Sequence, residues 1–263
     1  MLKLDIVGNI KIMSPLRLKY FLAVLKSIEC LKDVSGIYLN IENGKYLINP
    51  LTAFLTKLGF KTIILTCDKG KYGELYCGMI CRSQSEYILN IEDDHFCMIH
   101  NTVDLEKLIA NASRLKTEII PTTFFKQLQS RYSVLTPLFE DDCCKDFAYN
   151  TSAFDKMNDT GESIVVGNNC IFQRDFALRH WGMGHGGSRP HPFEERRKNL
   201  KEQHLQLMMP KFEILRPIDD DHGEKDSCCL ANPEEKWNDV FSSLSTTSFL
   251  PWIAHFRYKK HFK

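Results

Sequence analysis

Three features of this 263-residue sequence predict an α/β fold with a mainly parallel sheet flanked by helices. Stretches rich in Ile, Val and Leu alternate with amphipathic stretches over residues 4–115. Between the first two lies Ser14-Pro15, a helix N-cap followed by proline in the first turn. The last strand of the series, Tyr87 to Ile91, runs into Glu92-Asp93-Asp94-His95, and open α/β sheets bind ligands beyond such carboxyl ends.

Each element has its own local signal. Residues 4–13 (LDIVGNIKIM) read as a strand, and Leu18, Phe21, Leu22, Leu25 and Ile28 recur at helical spacing through 15–32. Gly36 to Glu42 is a second strand, closed by the turn residues Asn43-Gly44. Asn49-Pro50 opens a short helix carrying Leu51, Phe54, Leu55 and Leu58, with Gly59 placed to end it. Lys61 to Cys67 is a third strand, Tyr72 to Ser83 a helix, and Asp104 to Leu115 a helix with Leu105, Leu108, Ile109 and Ala112 on one face. From 117 to 160 the pattern weakens. Ile119-Ile120 and Val134-Leu135 read as short strands, and Glu140-Asp141-Asp142 as a solvated loop. Ser163 to Phe172 is a strand interrupted at Gly167-Asn168-Asn169, followed by a helix from Arg174 to Trp181. A charged helix over Glu194–Leu207, a strand at Phe212–Leu215 and a polar tail complete the chain, without internal repeats.

Composition narrows the function. The sequence is 43% hydrophobic and 25% charged, as in an ordinary globular protein, and one large domain or two small ones can bury a substantial core. A formal net charge of +1 argues against nucleic-acid binding through bulk positive charge. No apolar run is long enough to span a bilayer, and the N-terminus lacks a secretory apolar region. Ten cysteines include the adjacent pairs Cys143-Cys144 and Cys228-Cys229 but no CxxC motif, so a cytoplasmic, thiol-reduced protein is expected.

Three adjacent carboxylates repel one another unless a cation stands among them. Hard divalent ions such as Mn²⁺ or Mg²⁺ are held by one or two carboxylates, with water and substrate phosphates filling the remaining positions. Handling of a diphosphate at the strand tip is therefore one reading of Glu92, Asp93 and Asp94. The other is a solvated turn after a buried strand. His95 is a further ligand or a hydrogen-bond partner of the carboxylates.

In order and spacing these parts resemble the GT-A nucleotide-sugar glycosyltransferases, particularly the large inverting family of that fold, over about residues 1–200. Ile10 to Leu18 is similar to that family's first strand and its turn onto the nucleotide. Ile88 to His95 resembles its Asp-x-Asp-like metal motif, here Glu92-Asp93-Asp94. Val165 to Asp175 (VVGNNCIFQRD) is similar to the Gly-Gly-Asn-x-x-Phe-Arg-Arg segment that lines the donor-sugar and acceptor pocket. Three positions depart from the pattern: Glu92 stands for the first Asp, Asn40 or Glu42 for the acidic residue after strand two, and Gly167 lacks a glycine partner.

The resemblance implies a GT-A-like (Rossmann-like) core over 1–200, with a nucleotide-binding part over about 1–100 and an acceptor part over about 101–200. Residues 201–263 would be a C-terminal extension. It implies transfer of a sugar from a nucleotide diphosphate donor, a UDP-sugar foremost, to a hydroxyl of a glycan or lipid-linked acceptor, with Mn²⁺ or Mg²⁺ and with inversion. Metal positions would be Asp94, Glu92 and His222. Nucleotide-sugar positions would be Met13, Ser14, Pro15, Arg17, Asn40, Glu42, Asp68, Tyr72, Glu92, Asp93, Gly167, Asn168 and Asn169, with Lys11 and Tyr76 as neighbours of the same kind.

A general base must lie within hydrogen-bond reach of the acceptor hydroxyl. By position in the resembled family it would be Glu194, then Glu195, with Asp175 a third candidate; first-turn acidic residues favoured by a helix dipole are the competing explanation. Gly182, Gly184, Gly186 and Gly187 follow a helix rather than a strand, so they suit a mobile lid or a loop and not a dinucleotide fingerprint. Asp219-Asp220-Asp221 beside His222 equally fits a solvated acidic run. The tail from Pro251 interleaves aromatic and basic residues, as a peripheral membrane contact or a packed C-terminal helix would. The competing functions are a nucleotidyltransferase, which normally carries a Gly-rich basic loop after its first strand, and a binding module without turnover.

Overall fold

The computed structural model of the chain describes residues 4–33, 35–42, 44–100, 102–123, 132–149, 170–181 and 205–218, and besides these 129, 153, 244, 247–251 and 253. β1 (Leu4–Lys11), α1 (Pro15–Ser27), β2 (Ile37–Glu42), α2 (Ile48–Lys57), β3 (Ile63–Thr66), α3 (Tyr72–Arg82) and β4 (Tyr87–Asn90) alternate as the apolar patterning predicts. They are followed by β5 (His95–Cys97), α4 (Val103–Leu115), β6 (Ile119–Pro121), β7 (Phe139–Glu140), β8 (Cys144–Tyr149), β9 (Cys170–Gln173), α5 (Arg174–Trp181), β10 (Leu205–Pro210) and β11 (Leu215–Pro217).

The strands form a nine-stranded sheet in the order β3-β2-β1-β4-β9-β6-β10-β8-β7, and β11-β5 form a separate two-stranded ladder. Parallel pairing joins β3, β2, β1 and β4, and also β6 with β10. β9 is antiparallel to both neighbours, and β8 is antiparallel to both β10 and β7. All strands but β9 and β8 therefore point the same way, in a mixed, mostly parallel α/β sheet. The order 3-2-1-4 reverses direction at the β1–β4 junction, and the crevice beyond the carboxyl ends at such a junction is the natural ligand position.

Alternation along the strands sends side chains to two apolar layers. Leu4, Ile6 and Ile10 of β1 join Leu18, Phe21, Leu22 and Leu25 of α1 on one face, with α2 and α4. Val7, Ile88 and Phe172 face Tyr76, Met79 and Ile80 of α3 and Phe176 of α5 on the other. Each large apolar side chain fully buried in these layers contributes about 1.5–3 kcal/mol. α2 ends in a Schellman motif: Gly59 has φ +94, its amide donates to the Thr56 carbonyl, and the Phe60 amide donates to the Leu55 carbonyl.

Several expected elements differ. α1 stops at Ser27, whose hydroxyl donates to the Val24 carbonyl, and Ile28–Leu31 is a 3₁₀ turn. α2 begins at Ile48, so Pro50 lies inside its first turn. Val134-Leu135 forms a turn closed by the Leu135 amide on the Tyr132 carbonyl, not a strand. Glu140-Asp141-Asp142 is not simply solvated. Glu140 ends β7, and Asp141 accepts from the amides of Cys143 and Cys144 at 2.8 and 2.9 Å. Residues 205–207, expected to end a helix, instead begin β10, because that apolar run is buried between β6 and β8. The strand expected at 212–215 starts instead at Leu215, where β11 meets β5. Of the interrupted strand at 163–172, residues 163–169 lie outside the described residues; so do 194–204 of the charged helix.

Candidate active site

The strand tip of Glu92, Asp93 and Asp94 emerges at the β1–β4 junction. Val7 pairs with Asn90, and the Ile91 amide donates to the Val7 carbonyl at 3.0 Å, so the chain leaves the sheet one residue before Glu92. Gly8 permits that approach, since a Cβ there would stand 2.9 Å from the Ile91 carbonyl oxygen. Beyond the acidic run, His95 opens β5, and the Ile218 amide after β11 holds the Asp94 carbonyl at 2.7 Å. The acidic connection is thus pinned at both ends.

Arg17 faces it from the first turn of α1. The Ser14 hydroxyl caps that helix by accepting from the Arg17 amide at 3.1 Å, with Pro15 at the first helical position. The Arg17 guanidinium spans two carboxylates: Nε lies 2.8 Å and Nη2 3.3 Å from the Asp93 oxygens, and Nη1 3.0 Å from Asp94 Oδ2. Asp94 Oδ1 meets His95 Nδ1 at 2.7 Å, and Glu92 Oε2 lies 3.6 Å from the same nitrogen.

The three acidic or basic partners titrate differently. Burial, reinforced by the charge of Asp94 and offset by Arg17, raises the Asp93 carboxyl to about 6. Burial acts upward on Asp94 too, but the hydrogen bond and charge of His95 together with Arg17 prevail and hold it below the ordinary range. Burial acts downward on His95, yet its hydrogen bond to Asp94 and the charges of the surrounding carboxylates prevail and raise it. Glu92, Asp94 and His95 each offer one ligand atom, and these atoms lie within 4.8 Å of one another. A set of two carboxylate oxygens and one imidazole nitrogen can hold a divalent cation.

Neighbouring positions form a hydrogen-bonded row across β1, β2 and β3. Asn9 of β1, Asn40 of β2 and Thr66 of β3 stand in register. Asn40 Nδ2 donates to Asn9 Oδ1 at 2.8 Å, Asn9 Nδ2 to Glu42 Oε1 at 2.9 Å, and the Thr66 hydroxyl and Asp68 amide both donate to Asn40 Oδ1. Burial, reinforced by the charges of Glu92 and Glu42, pushes the Tyr72 phenol up. Tyr72 stacks on Tyr76 at 6.1 Å; Tyr76 is buried in the core and Tyr72 is partly buried against it. Met13 and Lys11 are exposed beside the Arg17 turn.

Asp175 lies elsewhere. It is the second residue of α5, beyond the end of β9, where Gln173 pairs with Tyr87 at the start of β4, so it sits at the opposite end of the strands from Asp94. Glu194, Glu195, Gly167, Asn168, Asn169 and His222, together with the glycine-rich stretch and most of the tail, lie outside the described residues. Ile253 of the tail packs against the α1/α2 apolar layer. Among the described residues, no helix is long and apolar enough to cross a membrane.

Two features escaped sequence reasoning. Asn9 and Asn90, polar residues buried in β1 and β4, lie at the junction; their polarity within an Ile/Val-rich run was the available signal. A second cluster, Asp141 with Cys143 and Cys144, also brings ligand atoms within 4.8 Å of one another. Its carboxylate is committed to folding the turn, with Asn111 donating to Oδ2 at 2.7 Å and the two cysteine amides to Oδ1.

No protein-family model matches the chain, and no curated protein matches its sequence. Solved structures do match. S. aureus TarS 1–349 in complex with UDP-GlcNAc superposes with a TM-score of 0.53 over 97% of this chain and 69% of that one, at 10% identity. S. aureus TarS 1–349 in complex with UDP gives 0.50 at 8% identity, where the superposition covers 81% of this chain and spans only 60% of the other's length. A longer TarS structure gives 0.52 at 9% identity, over 97% of this chain and 41% of that one. The likeness is one of fold: the chain has a GT-A-like, Rossmann-like fold with a mixed, mostly parallel sheet flanked by helices.

Proposed function

We propose that this protein is a nucleotide-sugar-using enzyme that transfers a sugar from a UDP-sugar to a hydroxyl of a glycan or lipid-linked acceptor. The observation that carries it is the convergence of Arg17, Glu92, Asp93, Asp94 and His95 at the β1–β4 junction of a GT-A-like sheet. Arg17 offers its guanidinium fork to the diphosphate, a geometry that matches phosphate oxygens. Asn40, Glu42, Asp68 and Tyr72 form the wall for the nucleoside, with Met13, Ser14 and Pro15 as its rim. Glu92 and Asp94, with His95 and in a fuller site His222, would hold Mn²⁺ or Mg²⁺. When bound, such a cation neutralises charge on the departing diphosphate.

Gly167, Asn168 and Asn169 precede β9, whose first residue, Cys170, lies at the same end of the strands as the acidic run; they fit the donor-sugar side of the pocket. The base falls to Glu194 or Glu195, since Asp175 stands at the far end of the strands. A carboxylate there would take the proton of the acceptor hydroxyl as its oxygen attacks, giving inversion by direct displacement. Residues of about 1–100 would then serve the nucleotide and about 101–200 the acceptor. The aromatic and basic tail from residue 251 suits peripheral contact with a membrane carrying the acceptor.

Donor turnover tests this reading. UDP-GlcNAc and UDP-glucose are incubated with wild type and Asp94→Asn, with and without Mn²⁺, and free sugar and UDP are quantified. The expected result is Mn²⁺-dependent release of UDP by wild type and a loss of 100-fold or more, on the order of one charged group at the reacting centre, in Asp94→Asn. Pyrophosphate release from UTP with a sugar phosphate would make it a nucleotidyltransferase, and UDP binding without any turnover would make it a binding module.

A further inference from the structure

We infer that Arg17 is a latch that keeps the acidic site closed to its cation until a nucleoside diphosphate draws the guanidinium away. The inference rests on the proposed use of this site for a nucleotide-sugar and adds an order of binding to it.

Both oxygens of Asp94 have a close partner, and Asp93 is ion-paired with Arg17. Arg17 takes both oxygens of Asp93 and Oδ2 of Asp94, and His95 takes Oδ1 of Asp94. A cation that uses Asp94 therefore competes with one of these two partners for its oxygen. His95 is the harder to move: it is buried, lies in β5, and is fixed through the β11 ladder. Arg17 is the easier, because its backbone is held by the Ser14 cap while its side chain reaches across from another element and is 22% exposed. Its positive charge also repels a divalent ion arriving at Asp94.

A diphosphate offers the guanidinium an equivalent partner. Fork-shaped pairing with phosphate oxygens replaces fork-shaped pairing with carboxylates, so the guanidinium keeps a partner while the carboxylates are freed for the cation. Release of Arg17 returns Asp94 Oδ2 and the net negative charge of Glu92, Asp93 and Asp94 to the cation. Nucleotide and cation then favour each other's binding, and by linkage the coupling is the same in both directions. Arg17 acts here as a positioning residue on the ligand set, besides its contact with the diphosphate.

Mn²⁺ binding in the absence of nucleotide reads the latch directly, by titration of the free-ion electron paramagnetic resonance signal against wild type, Arg17→Gln and Arg17→Lys. UDP binding without metal is measured alongside by calorimetry. The expected result is a nucleotide-free Mn²⁺ affinity about tenfold higher in Arg17→Gln than in wild type, a typical size for coupling between sites. Arg17→Lys, which keeps the charge and loses the fork, should change in the same direction by less, and it serves if the glutamine variant does not fold. Nucleotide-free Mn²⁺ affinity that is unchanged or weaker in both variants overturns the latch. If UDP still binds wild type in that event, the nucleotide-sugar reading stands without it. Absence of both UDP and Mn²⁺ binding in wild type overturns both.

Discussion

Asp93 and His95 give the acidic site a defined pH response. Asp93 has a folded pKa of about 6 against an ordinary 3.8, so folding favours its protonated form. Its stabilising contribution is full below pH 4 and is lost as pH rises through 6. The loss is on the order of 2–3 kcal/mol, given a side chain only 13% exposed. His95, also raised, contributes a second loss above 6.5, whereas the lowered carboxyl of Asp94 withdraws stability only below 3.8. Metal-free protein should therefore be most stable between about pH 4 and 6 and decline toward pH 8. Urea midpoints across that range check this, and the decline should shrink in Asp93→Asn; a slope identical in the variant would count against the assignment. Polarity at this point of the chain was visible in the sequence. Which carboxylate would be neutralised was not, because Arg17 stands 76 and 77 residues away from its two partners.

At the scale of elements, the parallel half of the sheet was legible because each unit carries its own signals. Ser14-Pro15 starts α1, Gly59 ends α2, and alternating apolar residues mark β1, β2 and β4. β5, β8 and β10 were not legible. β5 has three residues and exists through its pairing with β11, while β10 is defined by β6 and β8 on either side. Gly8 shows how one residue lets two elements meet. Gly8→Ala places a methyl 2.9 Å from the Ile91 carbonyl oxygen and 3.1 Å from Leu39 Cδ2. The expected cost is about 1–3 kcal/mol, since neither β1 nor β2 can move away within the ladder. Chemical denaturation gives the number, and an unchanged midpoint would mean that the β4 connection relaxes freely.

Across the whole molecule, ligand binding should appear as stability. UDP with Mn²⁺ at 100 times its Kd adds about 2.7 kcal/mol to the folded state. For a chain of this length that corresponds to roughly 5–10 °C in Tm. Asp94→Asn should retain the shift given by UDP alone and lose the additional shift given by Mn²⁺. Equal Mn²⁺-dependent shifts in the two proteins would place the cation elsewhere.

The sequence alone determined the alternating α/β half, its helix boundaries to within a few residues, and an acidic run at the tip of a buried strand. These depend on neighbours within one or two turns of chain, where propensity, capping and periodicity act. Tertiary structure decided what the run confronts. Parallel pairing of β1 with β4 carries the Arg17 turn onto Asp93 and Asp94, the β5–β11 ladder fixes His95 beside them, and β9 entering antiparallel leaves Asp175 at the other end of the strands. Sheet order and strand direction arise from contacts between residues far apart in the chain, and no local pattern encodes them.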